Sequence, residues 1–131
     1  MVLPASMRLR GHRCFDHLHR RGKRFHGTLM VLRKAASNPK LLRRNSKVVP
    51  GRGQLPSCRI AVVISGKVHK RAVVRNRLRR RMHDHLRRRF ESRSEHADLW
   101  LMISLRPGAD TGEANLLEEC DRLLEQAGLK P

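Results

Sequence analysis

Apolar and polar positions alternate along this chain with two different periods, and the change of period marks the elements. From Ala72 to Phe90, Val74, Leu78, Met82, Leu86 and Phe90 recur every fourth residue, which predicts a helix with one buried stripe. Cys58 to Ser65 alternates instead: Ile60, Val62 and Ile64 share one side, and the smaller Ala61, Val63 and Ser65 the other, as in a strand. Leu99 to Leu105 is apolar almost throughout, which suits a strand central in its sheet. Thr28 to Lys34 reads as a further strand, with Leu29 and Val31 alternating with Met30 and Leu32. Residues 8 to 21 are expected to be helical, with Leu9, Phe15 and Leu18 near the buried side and Gly22 at the end. Glu113 to Gln126 is the closing helix, with Leu116, Leu117, Cys120, Leu123 and Leu124 at helical spacing and Gly128 just beyond. Ser37 to Ser57 carries three prolines and two glycines, and is expected to be a long flexible basic loop.

At 131 residues this pattern fits one domain, an α/β (α+β) two-layer sandwich around a single small sheet. Its charge is unevenly spread. Residues 1 to 90 hold 26 of the 30 Lys and Arg and only two acids, Asp16 and Asp84, for a net of +24. Residues 91 to 131 hold four cations and nine acids, a net of −5, so the last part is expected to turn away from a polyanion or to serve packing.

The helix at 72 to 90 joins the two patterns. Opposite Leu78, a turn of about 100° per residue places Asn76, Arg80, His83 and Arg87, flanked by Arg77 and Arg79. Solvated helix faces usually alternate charge sign to limit repulsion, and here Asp84 is the single acid. A helix that is core on one side and arginine on the other suits an anionic polymer, and the guanidinium fork suits bidentate contact with phosphate. Lys67, Lys70 and Arg71, just ahead of the helix, extend that surface.

Lys70-Arg71-Ala72-Val73-Val74-Arg75-Asn76-Arg77-Leu78-Arg79-Arg80 resembles the signature of the bacterial ribonuclease P protein subunit family, roughly K-A-V-x-R-N-R-x-K-R on a helix that follows a strand. Cys14 to Lys23 is similar to that family's F-x-x-V-F-x-x-G first helix, with His19 in place of the second aromatic, and Asp98 to Pro107 is similar to its D-x-V-x-I-A-R-P last strand. The resemblance implies the element order α-β-β-β-α-β-α, a further short strand near Phe25, and a left-handed β-α-β crossover through the basic helix, against the usual preference.

It also implies a function. The partners would be the catalytic RNA of ribonuclease P and precursor tRNA, with Lys67, Lys70, Arg71, Arg75, Asn76, Arg77, Arg79 and Arg80 binding RNA. Phe15 and His19 would line a cleft for the 5′ leader of the precursor, where an exposed ring can stack on bases without reading sequence. The alternative for Phe15 is plain core packing. The expected activity is that of a non-catalytic subunit assisting Mg²⁺-dependent removal of the leader. No protein catalytic residues and no protein metal site are expected, because the basic part lacks the paired carboxylates or His–carboxylate pair that such chemistry needs. Mg²⁺ would then be held mainly by the RNA.

A structural RNA-binding protein of ribosomal type is the competing reading. A DNA-binding regulator is disfavoured, since no helix-turn-helix pairing precedes the basic helix. Three widely spaced cysteines, Cys14, Cys58 and Cys120, show neither disulfide framework nor zinc spacing and favour a reducing cytoplasm. No apolar run approaches the roughly 20 residues that span a bilayer.

Overall fold

The computed structural model describes Leu3, residues 7–38, Leu41, residues 58–90 and residues 98–129. Apart from Ser37, Asn38 and Leu41, the expected loop at 37–57 lies outside the described residues. The elements are α1 (His12–Arg21), β1 (Lys23–His26), β2 (Met30–Ala36), β3 (Arg59–Val63), α2 (Ala72–Phe90), β4 (Leu99–Leu105), a 3-10 turn at Ala109–Thr111, and α3 (Glu113–Gln126). This is the expected α-β-β-β-α-β-α order, with the short strand at Phe25 in place.

The four strands form one sheet in the order β1-β2-β4-β3. β4 is antiparallel to β2, with Leu32 opposite Ile103, and parallel to β3, with Ile60 opposite Leu101. Its near-continuous apolar sequence follows from this interior place, because both of its faces are covered. Since β3 and β4 are parallel neighbours, the chain must cross the sheet between them, and α2 makes that crossing.

Strand alternation divides the core in two. Met30, Leu32, Ile60, Leu101, Ile103 and Leu105 meet Leu78, Met82, Leu86 and Phe90 of α2 and Leu116, Cys120, Leu123 and Leu124 of α3. On the opposite face Ala35, Ala61, Trp100 and Met102 pack with Leu9, Cys14 and Leu18. The sheet with its α2–α3 layer is the expected sandwich, and α1 adds partial cover to the second face. The smaller side chains of β3 are those beneath α1.

The first helix begins later than its sequence suggests. Gly11 has φ +97°, a left-handed conformation that side chains rarely tolerate, and it separates helix from extended chain. Before it, Arg8 and Leu9 run along the edge of β3: the Leu9 amide donates to the Ile60 carbonyl at 3.1 Å, and Arg59 Nη1 to the Arg8 carbonyl at 3.0 Å. Leu9 is buried, as expected, but from an extended segment.

Acids of the C-terminal part serve packing. Asp121 of α3 accepts from His85 Nε2 at 2.8 Å and Arg89 Nη1 at 2.7 Å, and Arg89 Nη2 donates to the Leu129 carbonyl at 2.7 Å. The carboxylate of Glu119, only 6% exposed, accepts from the Thr28 and Leu29 amides at 2.9 and 2.7 Å, closing the β1–β2 turn onto α3. Gly27 permits this approach, because a Cβ there would lie 2.7 Å from the Glu119 carboxyl carbon.

Candidate nucleic-acid interface

The connection from β3 to α2 is a tight cationic turn. The Val68 amide donates to the Ser65 carbonyl at 3.1 Å, and the buried Val68 side chain anchors the turn in the core. Lys67, Lys70 and Arg71 are all exposed around it. The Arg71 amide donates to His69 Nδ1 at 3.1 Å. Arg75 folds back onto the same turn, its Nη1 donating to the carbonyls of His69 at 2.9 Å and Lys70 at 3.0 Å. The first turn of α2 holds no acid, so the positive end of the helix dipole faces the same way as these cations.

Past the turn, the outer face of α2 presents exposed Val73, Asn76, Arg77 and Arg80. Asn76 Oδ1 accepts from Arg79 Nη1 at 3.0 Å, which orients the half-buried Arg79 along the helix. Arg77, Arg80, Arg81 and Asp84 enclose an open pocket of about 350 Å³. Asp84 is drawn to the C-terminal side of it by Arg88 at 3.2 Å and Arg87 at 3.7 Å. Three guanidiniums around one carboxylate leave the pocket strongly cationic.

The face is shorter than helical geometry alone suggests. His83, expected with Asn76 and Arg80 on the outer side, is 8% exposed, and its pKa is pushed down to about 4 by burial and then by the positive charges of Arg79 and Arg8. It is neutral and covered. The guanidinium of Arg87, expected on the same side, is also largely covered. Arg8 belongs to the segment that runs along β3, a pairing between distant residues that helix periodicity could not reveal.

On the α1 side, Phe15 is half-buried and packs against the Trp100, Ala61 and Leu18 cluster together with Val63, while His19, one turn on, is exposed. Phe15 therefore combines core packing with an open edge. Arg33 and Ser104 share this sheet face, with Arg33 Nη1 3.5 Å from Ser104 Oγ. Arg33 is a cation on this sheet face that the sequence reading missed. The alternation of Val31, Arg33 and Ala35 in β2 would have placed it there. Burial and the neighbouring Arg24 charge lower its pKa.

Burial raises the Cys14 thiol and pushes Cys58 and Cys120 up to about 12, so all three are protonated at neutral pH. Among the described residues no three His, Cys, Asp or Glu side chains converge as a metal site, and no helix is long and apolar enough to cross a membrane.

The chain is similar over nearly its whole length to known proteins. Residues 3–128 match the sequence profile of ribonuclease P. The chain belongs to the ribonuclease P family. It is 79% identical over 131 residues to the ribonuclease P protein component of Synechococcus sp. (strain WH7803), covering all of both chains. It is 60% identical to that of Prochlorococcus marinus (strain MIT 9313), covering 98% of each. Among solved structures, the Staphylococcus aureus RNase P protein superposes with a TM-score of 0.71 at 14% identity, over 95% of this chain and 98% of that one. The Thermotoga maritima RNase P protein gives 0.64 at 17%, over 91% and 96%. At such identities the ribonuclease P likeness in structure is one of fold, whereas the close relatives carry the family.

Proposed function

We propose that this chain is the protein component of a cytoplasmic ribonuclease P. In that role it binds the catalytic RNA through the β3–α2 turn and the outer face of α2, and receives the 5′ leader of precursor tRNA beside Phe15 and His19. The observation that carries the reading is α2 itself. Leu78, Met82, Leu86 and Phe90 are buried on one side, and Asn76, Arg77 and Arg80 are exposed on the other with Asp84 as the only acid of the helix. The helix is formed and packed before binding, so its cations meet phosphates with little loss of backbone freedom. Each phosphate it neutralises releases counterions, which gives strongly salt-dependent affinity.

The same reading leaves hydrolysis to the RNA. Mg²⁺ would be held mainly by the RNA partner, where it would supply the Lewis acid and the activated water. The protein's part is to lower phosphate repulsion between catalytic RNA and substrate, and so the Mg²⁺ concentration that cleavage requires.

Reconstitution tests this. Catalytic RNA and precursor tRNA are combined at low millimolar Mg²⁺ with and without the chain. Leader removal should accelerate with it, and the chain alone should cleave nothing. A structural RNA-binding protein of ribosomal type would leave the rate unchanged.

A further inference from the structure

A second cleft lies on a part of the surface to which the reading above gives no role. It is open, about 710 Å³, and sits between α1 and the chain leaving β2, lined chiefly by Arg13, Asp16, His17, Arg20, Arg21 and Leu41. Its α1 residues follow the spacing of one helix face. The buried stripe of Cys14 and Leu18 separates that face from Phe15. The far wall is built by hydrogen bonds: Cys14 Sγ donates to the Leu41 carbonyl at 3.6 Å, and the Leu41 amide to the Asn38 carbonyl at 3.0 Å. His17 forms part of the floor, with its ring edge-on to Trp100 (5.7 Å, 83°) and its Nε2 3.0 Å from the Ala36 carbonyl.

Three guanidiniums face one carboxylate in this cleft. Asp16 engages Arg20 at 3.3 Å, an exposed pair of the kind that exchanges readily for a stronger anion. Among the described residues no acid pairs with Arg13 or Arg21. The ring of His17 is committed to Trp100 and Ala36, so the cleft offers forks for phosphate and no free aromatic face for stacking a base. That chemistry suits the sugar–phosphate backbone of a folded RNA better than an unpaired leader.

Building on the RNA-binding role proposed above, we infer that the Arg13–Arg20–Arg21 cleft is a second backbone-binding site for the catalytic RNA, on the flank of α1 opposite Phe15. α1 would then lie between the two RNAs, with the catalytic RNA on one side and the leader on the other.

The test uses the full chain with Arg13→Gln and Arg21→Gln together, which leaves the Arg20–Asp16 pair in place. Binding to the catalytic RNA is titrated over salt, and the ratio of affinities for precursor and mature tRNA is measured in the reconstituted complex. The slope of log K against log salt should fall by about 2, at roughly 0.9 per lost phosphate contact, while the precursor-to-mature ratio stays the same. Lysine at both positions should restore most of the slope. The inference is overturned by an unchanged slope, by an effect confined to precursor tRNA, or by a loss that lysine does not rescue. Arg77→Gln with Arg80→Gln is run in parallel. If that pair lowers the slope and the α1 pair does not, the second site alone is wrong. If neither does, the RNA-binding role of α2 is wrong as well.

Discussion

Arg75 Nη1 bridges the carbonyls of His69 and Lys70, at 2.9 and 3.0 Å, so this arginine of the Arg75-Asn76-Arg77 run is turned inward onto the turn that precedes its own helix. Arg77 and Arg80 are turned outward and exposed. The three are chemically alike in sequence and do different things in the fold. Arg75 sets the shape of the cationic turn, and the other two remain available to phosphate.

Their substitutions should therefore separate. Arg77→Ala with Arg80→Ala should lower affinity for the catalytic RNA and reduce the log–log salt slope by about 2, with the melting temperature nearly unchanged. Arg75→Ala should instead cost about 1–2 kcal/mol of stability, since two carbonyls lose a charged donor, and should reduce the slope by less. A salt titration beside a thermal melt of each variant checks both.

Phe15 serves the α1 cluster and the open edge at once, so its test needs a packing control. Phe15→Leu keeps an apolar side chain against Trp100 and Val63 and removes the ring. It should reduce affinity for leader-bearing precursor by about tenfold relative to mature tRNA, within the 1–3 kcal/mol of a stacked base. Equal losses for the two RNAs would make the ring purely structural.

Glu119 fastens the β1–β2 turn to α3 by accepting two backbone amides while almost fully buried. Glu119→Ala leaves both donors without that acceptor and should cost roughly 2–4 kcal/mol. Gly27→Ala should destabilise as well, by forcing its Cβ against the same carboxylate. Urea unfolding measures both. Cleavage with excess folded protein should hardly change, because this clamp lies away from α2's outer face.

His83 makes stability depend on pH. Its pKa, about 4 in the fold against an ordinary 6.5, means that the unfolded chain binds the extra proton between those values. The contribution is complete above about pH 6.5, is lost as pH falls, and amounts to on the order of 3 kcal/mol once pH is below 4. The groups acting on it are Arg79 from its own helix and Arg8 from the N-terminal segment, both cationic throughout this range. His83→Gln should flatten the urea midpoint between pH 6.5 and 4 relative to the unsubstituted chain. Parallel curves for the two proteins would show that His83 is not the group responsible.

Periodicity carried α2, β4 and α3 to their observed bounds, because each buries a repeating set of side chains whose spacing is written locally. The cationic ridge was legible for the same reason: Leu78, Met82 and Leu86 must face inward, and the arginines between them are left outside. Pairings between distant residues were not legible. The extended run of Arg8 and Leu9 beside β3, which delays the start of α1 until after Gly11 and helps hold His83 neutral, depends on residues some fifty positions away. Nor could local pattern tell the inward Arg75 from the outward Arg77, or show that Glu119 and Asp121 would be spent on holding α3 to the hairpin and to α2. Side-chain type and spacing settle which face of an element is apolar. Which charged groups remain free depends on what the rest of the chain brings against them.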